Sequence, residues 1–421
     1  MAMPLAMNAA ATLVDLAPAA RLLTLAGLIA LLPLSWWFWR QRHRPPAVRL
    51  AALTVLTAFL TFDLIVFGSF TRLTDSGLGC PDWPGCYGAA SPLGAQDQIQ
   101  AAQGLLPSGP VTQAKAWIEM LHRYLAMVVG ALILVAAVAS WRARKALPHS
   151  PGWAGATLAW VLVQGLFGKY TVTLKLYPAI VTLHLLGGIG LLSLLVLQHE
   201  SFRDQALPAA GPGVTPRGIA AVLALLLMQV ALGGWVSTNY AVLACQGFPS
   251  CNGQWWPAMD AARGFTLLRG LGQAGDGGYL PFEALVAVHM AHRLFALLAL
   301  GALAVLAWRL WRTAGLAQRR YAGALAGLLV GQAASGLSNV VLGWPLVAAL
   351  AHSAGAAALV ALLVSLWARA RRSARAGAGA GANSGAVSGA LAPAAIGNAP
   401  ARPAVPPGRT DPLASGPAPV A

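Results

Sequence analysis

The stretch "WIEMLHRYLAMVVGALILVAAVASW", residues 117–141, decides how the chain is read. Its run of Leu, Val, Ile and Ala has the length of a helix crossing ~30 Å of hydrocarbon. Yet Glu119, His122 and Arg123 crowd into one and a half turns near its start. Ionisable groups inside a membrane helix are costly and mark function by default. The segment is therefore both a span and a site.

Similar runs occur at about 22–39, 50–70, 116–140, 153–174, 179–197, 218–238, 284–308, 321–342 and 345–367, giving nine expected spans. The composition agrees: 57% of the 421 residues are hydrophobic and 10% charged, with a mean hydropathy of +0.65. That excludes a soluble globule and predicts an all-α polytopic membrane protein whose surroundings are a lipid bilayer. The net charge of +16 resembles a nucleic-acid signal only until its distribution is examined. Arginine concentrates in "RQRHRPPAVR" (40–49), "WRARK" (141–145), "WRLWRTAGLAQRR" (308–320) and "ARARRSAR" (368–375), while the alternate linkers carry little. Placing these four linkers in the cytoplasm gives every helix a consistent direction. No nucleic-acid partner is expected. The chain reads as a multi-pass protein of a bacterial inner membrane.

That topology puts the two long loops, 71–115 and 239–283, on the periplasmic side. All four cysteines lie there, Cys80 and Cys86 in "CPDWPGC" and Cys245 and Cys251 in "CQGFPSC". On the oxidising side of a membrane, two such C-x5-C pairs read as disulfides closing small loops. A metal site is the weaker reading, because neither loop contains a histidine.

The chain also repeats itself. Gly68 precedes Cys80 by the interval that separates Gly233 from Cys245. Gln164-x3-Gly168 matches Gln332-x3-Gly336, His122-Arg123 matches His292-Arg293, and His184 matches His352. The expected fold is two pseudo-symmetric four-helix bundles, 50–197 and 218–367, related by an axis along the membrane normal. Residues 1–49 add one N-terminal helix and a basic linker. That helix lacks a small-residue cleavage site and is followed by basic residues, so it reads as a retained span. From 369 to 421 the chain is rich in Ala, Gly and Pro without periodicity, and is expected to be a disordered cytoplasmic tail.

Of the eight histidines, His43, His149 and His199 fall in expected linkers. His122, His184, His289, His292 and His352 fall in expected spans. His122 and His184 lie about six residues, or ~9 Å, from the outer ends of their spans, and His292 and His352 lie at similar depth. Each half thus offers two imidazoles at one level on two helices. That suits a haem held edge-on between helices with a histidine on each face of its iron. Zinc is disfavoured, since its sites want three or four ligands. Asp63, in "LTFDLIVFG", lies near mid-membrane without an assigned role.

The segments "FGSFTRLTDSGLGCPDWPGCYG" (67–88), "EMLHR" (119–123), "QGLFGKYTV" (164–172) and the second "HR" at 292–293 resemble the haem A synthase family over about residues 50–367. The resemblance implies conversion of haem O to haem A, one porphyrin methyl group becoming a formyl group, for cytochrome oxidase assembly. It implies that His292 and His352 hold a permanent haem b, that His122 and His184 face the substrate haem O, and that Glu119 is catalytic. It also brings haem O synthase and cytochrome oxidase assembly factors into view as partners, and a homo-oligomer is compatible with it.

Arg72, Arg123 and Arg293 are candidate propionate partners, because a guanidinium matches a carboxylate bidentately. Arg123 and Arg293 adjoin their histidines and so point about 100° away from them; tying bundle to loop is their other reading. Two further functions fit four histidines in two bundles: a quinol-linked di-haem b-type electron-transfer protein, and a haem carrier. The acid Glu119, matched in the second half by His289, favours an enzyme. An electron carrier has no need of a carboxylate beside one haem only.

Overall fold

The computed structural model describes residues 17–147, 149–203, 214–313 and 315–389. These fall in two units divided after Arg375. The first holds all the features below; of the second, only the end of a helix is described.

Among the described residues the regular structure is helical, and the only β-pairing is in isolated bridges. The elements are α1 (Ala17–Gln41), α2 (Pro46–Leu73), α3 (Gln96–Leu105), α4 (Gln113–Arg142), α5 (Gly152–Thr173), α6 (Pro178–Ser201), α7 (Pro216–Thr238), α8 (Ala261–Gly264), α9 (Phe282–Trp311), α10 (Leu316–Val341) and α11 (Leu346–Gly389). Proline at the first helical position starts α2, α6 and α7, where its missing N–H costs nothing. Thr112 and Thr215 cap α4 and α7 by accepting from the amides of Lys115 and Gly218.

Among the described residues, eight helices are long and apolar enough to cross a membrane. The ninth expected span is α5, whose 22 residues reach ~33 Å. Its Gln164, Lys169 and scattered glycines dilute its hydropathy. It still closes the first bundle, packing between α4 and α6.

α2, α4, α5 and α6 pack around one another, and α7 and α10 pack on α9 in the second half. α6 lies against α7, and one hydrophobic cluster joins Ile65, Ile189 and Leu192 of the first half to Leu226, Leu303, Leu363 and their neighbours in the second. Packing and satisfied polar groups, rather than exclusion of water, hold helices together in lipid. Along α2 the buried Thr54, Thr57 and Thr61 each return their hydroxyl proton to the carbonyl four residues back, at 2.7–2.8 Å. They present small surfaces without an unpaid polar group. α1 packs on α2 and α4, seating Ala30 and Trp37 against Leu53, Val128 and Leu132.

The duplication is visible in the turns. Lys175 and Leu176 join α5 to α6, Gly343 and Trp344 join α10 to α11, and all four take left-handed backbone angles. Both cysteine pairs are disulfides, Cys80–Cys86 and Cys245–Cys251, and each loop is closed by an antiparallel bridge, Cys86 to Ala89 and Cys251 to Gln254.

Two boundaries differ from the sequence reading. His199 lies within α6 rather than in a linker. The tail expected from 369 starts as a continuation of α11, helical to Gly389. Arg369 and Arg372 fix its beginning by donating to the carboxylate of Glu200 on α6, at 3.1 and 2.8 Å. Residues 390–421 of that expected tail lie outside the described residues.

Candidate haem sites

Two histidines and two glycines form the centre of each half. An added Cβ on Gly68 of α2 would stand 3.0 Å from Cε1 of His122 on α4. On Gly168 of α5 it would stand 3.6 Å from Cε1 of His184 on α6. The second half repeats this with Gly233 of α7 against His292 of α9 (3.0 Å) and Gly336 of α10 against His352 of α11 (3.1 Å). In each case glycine lets an imidazole edge lie close against a neighbouring helix. His122 and His184 are within electrostatic reach of each other, as are His292 and His352. The histidines are the tenth residue of α4, the seventh of α6, the eleventh of α9 and the seventh of α11. α4 and α9 thus begin farther out than the sequence reading placed them, by nearly the same amount.

This donor set fits haem. Among the described residues no group of three or more His, Cys, Asp or Glu could hold a bare metal ion. A porphyrin supplies its own equatorial nitrogens, so two axial imidazoles complete its iron. Among the described residues Nδ1 of His122 and of His184 is buried without a hydrogen-bond partner.

Around the ring nitrogens the halves differ. In the second, Ser335 Oγ lies 3.1 Å from His352 Nδ1, and Gln229 Nε2 lies 3.1 Å from His292 Nδ1. In the first, His122 stacks on Phe67, centroids 6.2 Å apart and planes 7° from parallel.

The arginines are already engaged. Arg123 donates to the carbonyls of Asp82 (3.0 Å), Pro84 (3.3 Å) and Gly85 in the first disulfide loop, and pairs with Glu119. Arg293 donates to the carbonyls of Cys245 (2.6 Å), Gly247 (3.1 Å) and Ser250 (3.2 Å) in the second. Both arginines thus make the tie between bundle and loop. Arg72 crosses between halves. It donates to the Ser237 carbonyl and lies 3.8 Å over the Tyr240 ring. Tyr240 in turn donates to Asp75, and burial followed by this hydrogen bond holds its phenol above the ordinary range.

Glu119 is 4% exposed. Besides Arg123 it accepts from the backbone amide of Cys80 at 2.8 Å. His289, its counterpart, accepts from Arg293 Nε at 3.2 Å. An acid in one half and an imidazole in the other thus hold equivalent arginines. The spacing of four between Glu119 and Arg123, and between His289 and Arg293, was visible in the sequence and signals this pairing. Ser335, Gln229 and Arg269, which donates to Asn239 Oδ1, went unnoticed there.

A profile described as "Cytochrome oxidase assembly protein" matches residues 51–364, the two bundles without α1 or the tail. A relative from Shewanella oneidensis named "Heme A synthase" is 37% identical over 316 residues, covering 74% of this chain and 94% of its own. Relatives of the same name from Rhizorhabdus wittichii and Caulobacter vibrioides are each 31% identical over 342 residues, covering 76% of this chain and 92% and 95% of theirs. With duplicated histidine–glycine pairs inside the matched span, the chain belongs to the COX15-CtaA family of cytochrome oxidase assembly proteins.

Proposed function

We propose that this chain makes haem A, oxidising one methyl group of haem O to a formyl group for cytochrome oxidase assembly. The observation that carries this reading is the pair of equivalent buried histidine sites, of which, among the described residues, only the first has an acid one turn before its histidine, Glu119. In the proposal His122 and His184 face haem O, and His292 and His352 hold a resident haem b. A haem held by both histidines would supply one-electron transfer.

The conversion balances with water as the oxygen source: a methyl carbon and one water become a formyl group, releasing two electron pairs and their protons. An acceptor for those electrons is required at the membrane. Glu119 shares a helix face with His122 at a spacing of three. Its counterpart His289 holds an arginine without a carboxylate, so anchoring the loop does not itself demand Glu119's negative charge. We assign that charge a chemical role, as base for the attacking water or as the stabiliser of positive charge at the methyl carbon.

In this reading the Arg-rich linkers face the cytoplasm, so both disulfide loops, and the histidine-bearing ends of the helices, face the periplasm. Haem O synthase is then the expected donor and cytochrome oxidase assembly the recipient. Two measurements test this. Cells given haem O and this chain should yield haem A by pyridine haemochrome and mass spectrometry; haem O recovered unchanged beside a normal b-type spectrum returns the chain to the electron-transfer reading. Thiol reagents applied to intact cells should label none of the four cysteines until a reductant is added; labelling without it overturns the sidedness.

A further inference from the structure

We infer that a hydrogen-bond acceptor at the ligand imidazole, present in the second half and absent from the first, separates a retained haem from an exchangeable one, with Ser335 as its positioning residue. The inference rests on the assignment of His292 and His352 to the resident haem and of His122 and His184 to the substrate.

Ser335 lies on α10, and its Oγ is 2.7 Å from the carbonyl of Gly331 and 3.1 Å from Nδ1 of His352. A hydroxyl has one proton, and the shorter contact, to an oxygen that can only accept, takes it. Oγ therefore accepts from Nδ1–H of His352. That fixes the tautomer: the proton stays on Nδ1, and the Nε2 lone pair faces forward for a metal. Gln332 adds to the hold by donating to the His352 carbonyl at 2.8 Å. Gln229 acts differently at the other histidine: its Nε2 can only donate, to the His292 carbonyl (3.2 Å) and toward Nδ1 of His292 (3.1 Å), so it steadies that residue without serving as an acceptor.

The repeat allows a residue-by-residue comparison. Gly336 corresponds to Gly168, so Ser335 corresponds to Phe167; Gly233 corresponds to Gly68, so Gln229 corresponds to Leu64. The side chain of Phe167 has no acceptor to offer in place of the Ser335 hydroxyl, and that of Leu64 has no polar group in place of the Gln229 amide. Accordingly Nδ1 of His122 and of His184 is buried without a partner among the described residues. Such an imidazole is a poorer donor with an unfixed tautomer, and losing such a partner typically weakens metal binding about 10- to 100-fold. A resident cofactor has to stay, whereas a substrate has to enter and its product leave. The polar partners stand on the side where retention is useful.

The test uses the full chain, purified in detergent with its resident haem, and follows haem loss to excess apomyoglobin by the Soret band. Ser335→Ala should lose resident haem roughly 10- to 100-fold faster and show a raised midpoint potential, because the weaker ligand stabilises ferric iron less. Ser335→Thr, which keeps the hydroxyl, should restore the wild-type rate and potential. Phe167→Ser should slow the release of added haem O from the first site. Wild-type rate and potential in Ser335→Ala overturn the inference. Should that variant fail to fold, Phe167→Ser decides alone: slower release supports the inference and unchanged release overturns it. His352→Ala separates the two levels. If it strips the resident haem while Ser335→Ala changes nothing, only this inference falls; if it keeps the full spectrum, the assignment beneath it falls as well.

Discussion

The two halves hold their disulfide loops by one device made from different residues. In the first, Glu119 accepts from Arg123, which reaches the carbonyls of Asp82, Pro84 and Gly85. In the second, His289 accepts from Arg293, which reaches those of Cys245, Gly247 and Ser250. The shape of the tie is conserved between the repeats and its charge is not. Around the imidazoles proposed as ligands the contrast reverses: polar contacts from Ser335 and Gln229 in the second half, Phe67 stacking in the first. Duplication set the frame of both sites. A few positions then gave one half a charge and the other half a grip.

The strongest way to break this comparison is to remove the ligands. His292→Ala or His352→Ala should abolish the low-spin b-type spectrum of the purified protein. His122→Ala and His184→Ala should leave it intact while stopping haem A formation. Equal loss of the resident spectrum from all four variants would mean that the halves do not divide the work. A smaller effect is expected at the loop ties. Arg123→Lys and Arg293→Lys keep the charge but not the fork that spans several carbonyls. Each should cost about 2 kcal/mol, the scale of a lost hydrogen bond to a charged group, read as earlier thermal unfolding in detergent. If Arg293→Lys melts like the wild type, the second tie carries no weight and the likeness of the halves is only geometric.

Much of this was legible in the sequence because membrane proteins are written in coarse signals. Span lengths, arginine asymmetry and the ordered matches from Gly68 to His352 survive without knowledge of packing. The disulfides were legible for the same reason, since both pairs are local. Long-range commitments were not. Arg123 meets carbonyls about forty positions earlier in the chain, and nothing in its neighbourhood distinguishes a loop carbonyl from a propionate. The distinction between Ser335 and Phe167 was printed in the alignment of the repeats, one residue before each glycine. It gains meaning only when the ring nitrogen it faces is known. The tail was read as starting at 369 because Ala and Gly show no periodicity, but the contacts of Arg369 and Arg372 with Glu200 extend the ordered helix past that point.

The central claim is that the charge of Glu119, beyond its hold on Arg123, serves the chemistry. Glu119→His tests it most directly, because it writes the second half's own solution into the first. The variant should keep the loop tied and the resident haem b at wild-type content. Haem analysis of cells supplied with haem O should then show haem A reduced by roughly 100-fold or more, the scale of a lost acid–base group, with haem O or its hydroxymethyl form accumulating. Near-normal haem A from Glu119→His, with the resident spectrum unchanged, would contradict the claim and leave Glu119 as an anchor alone.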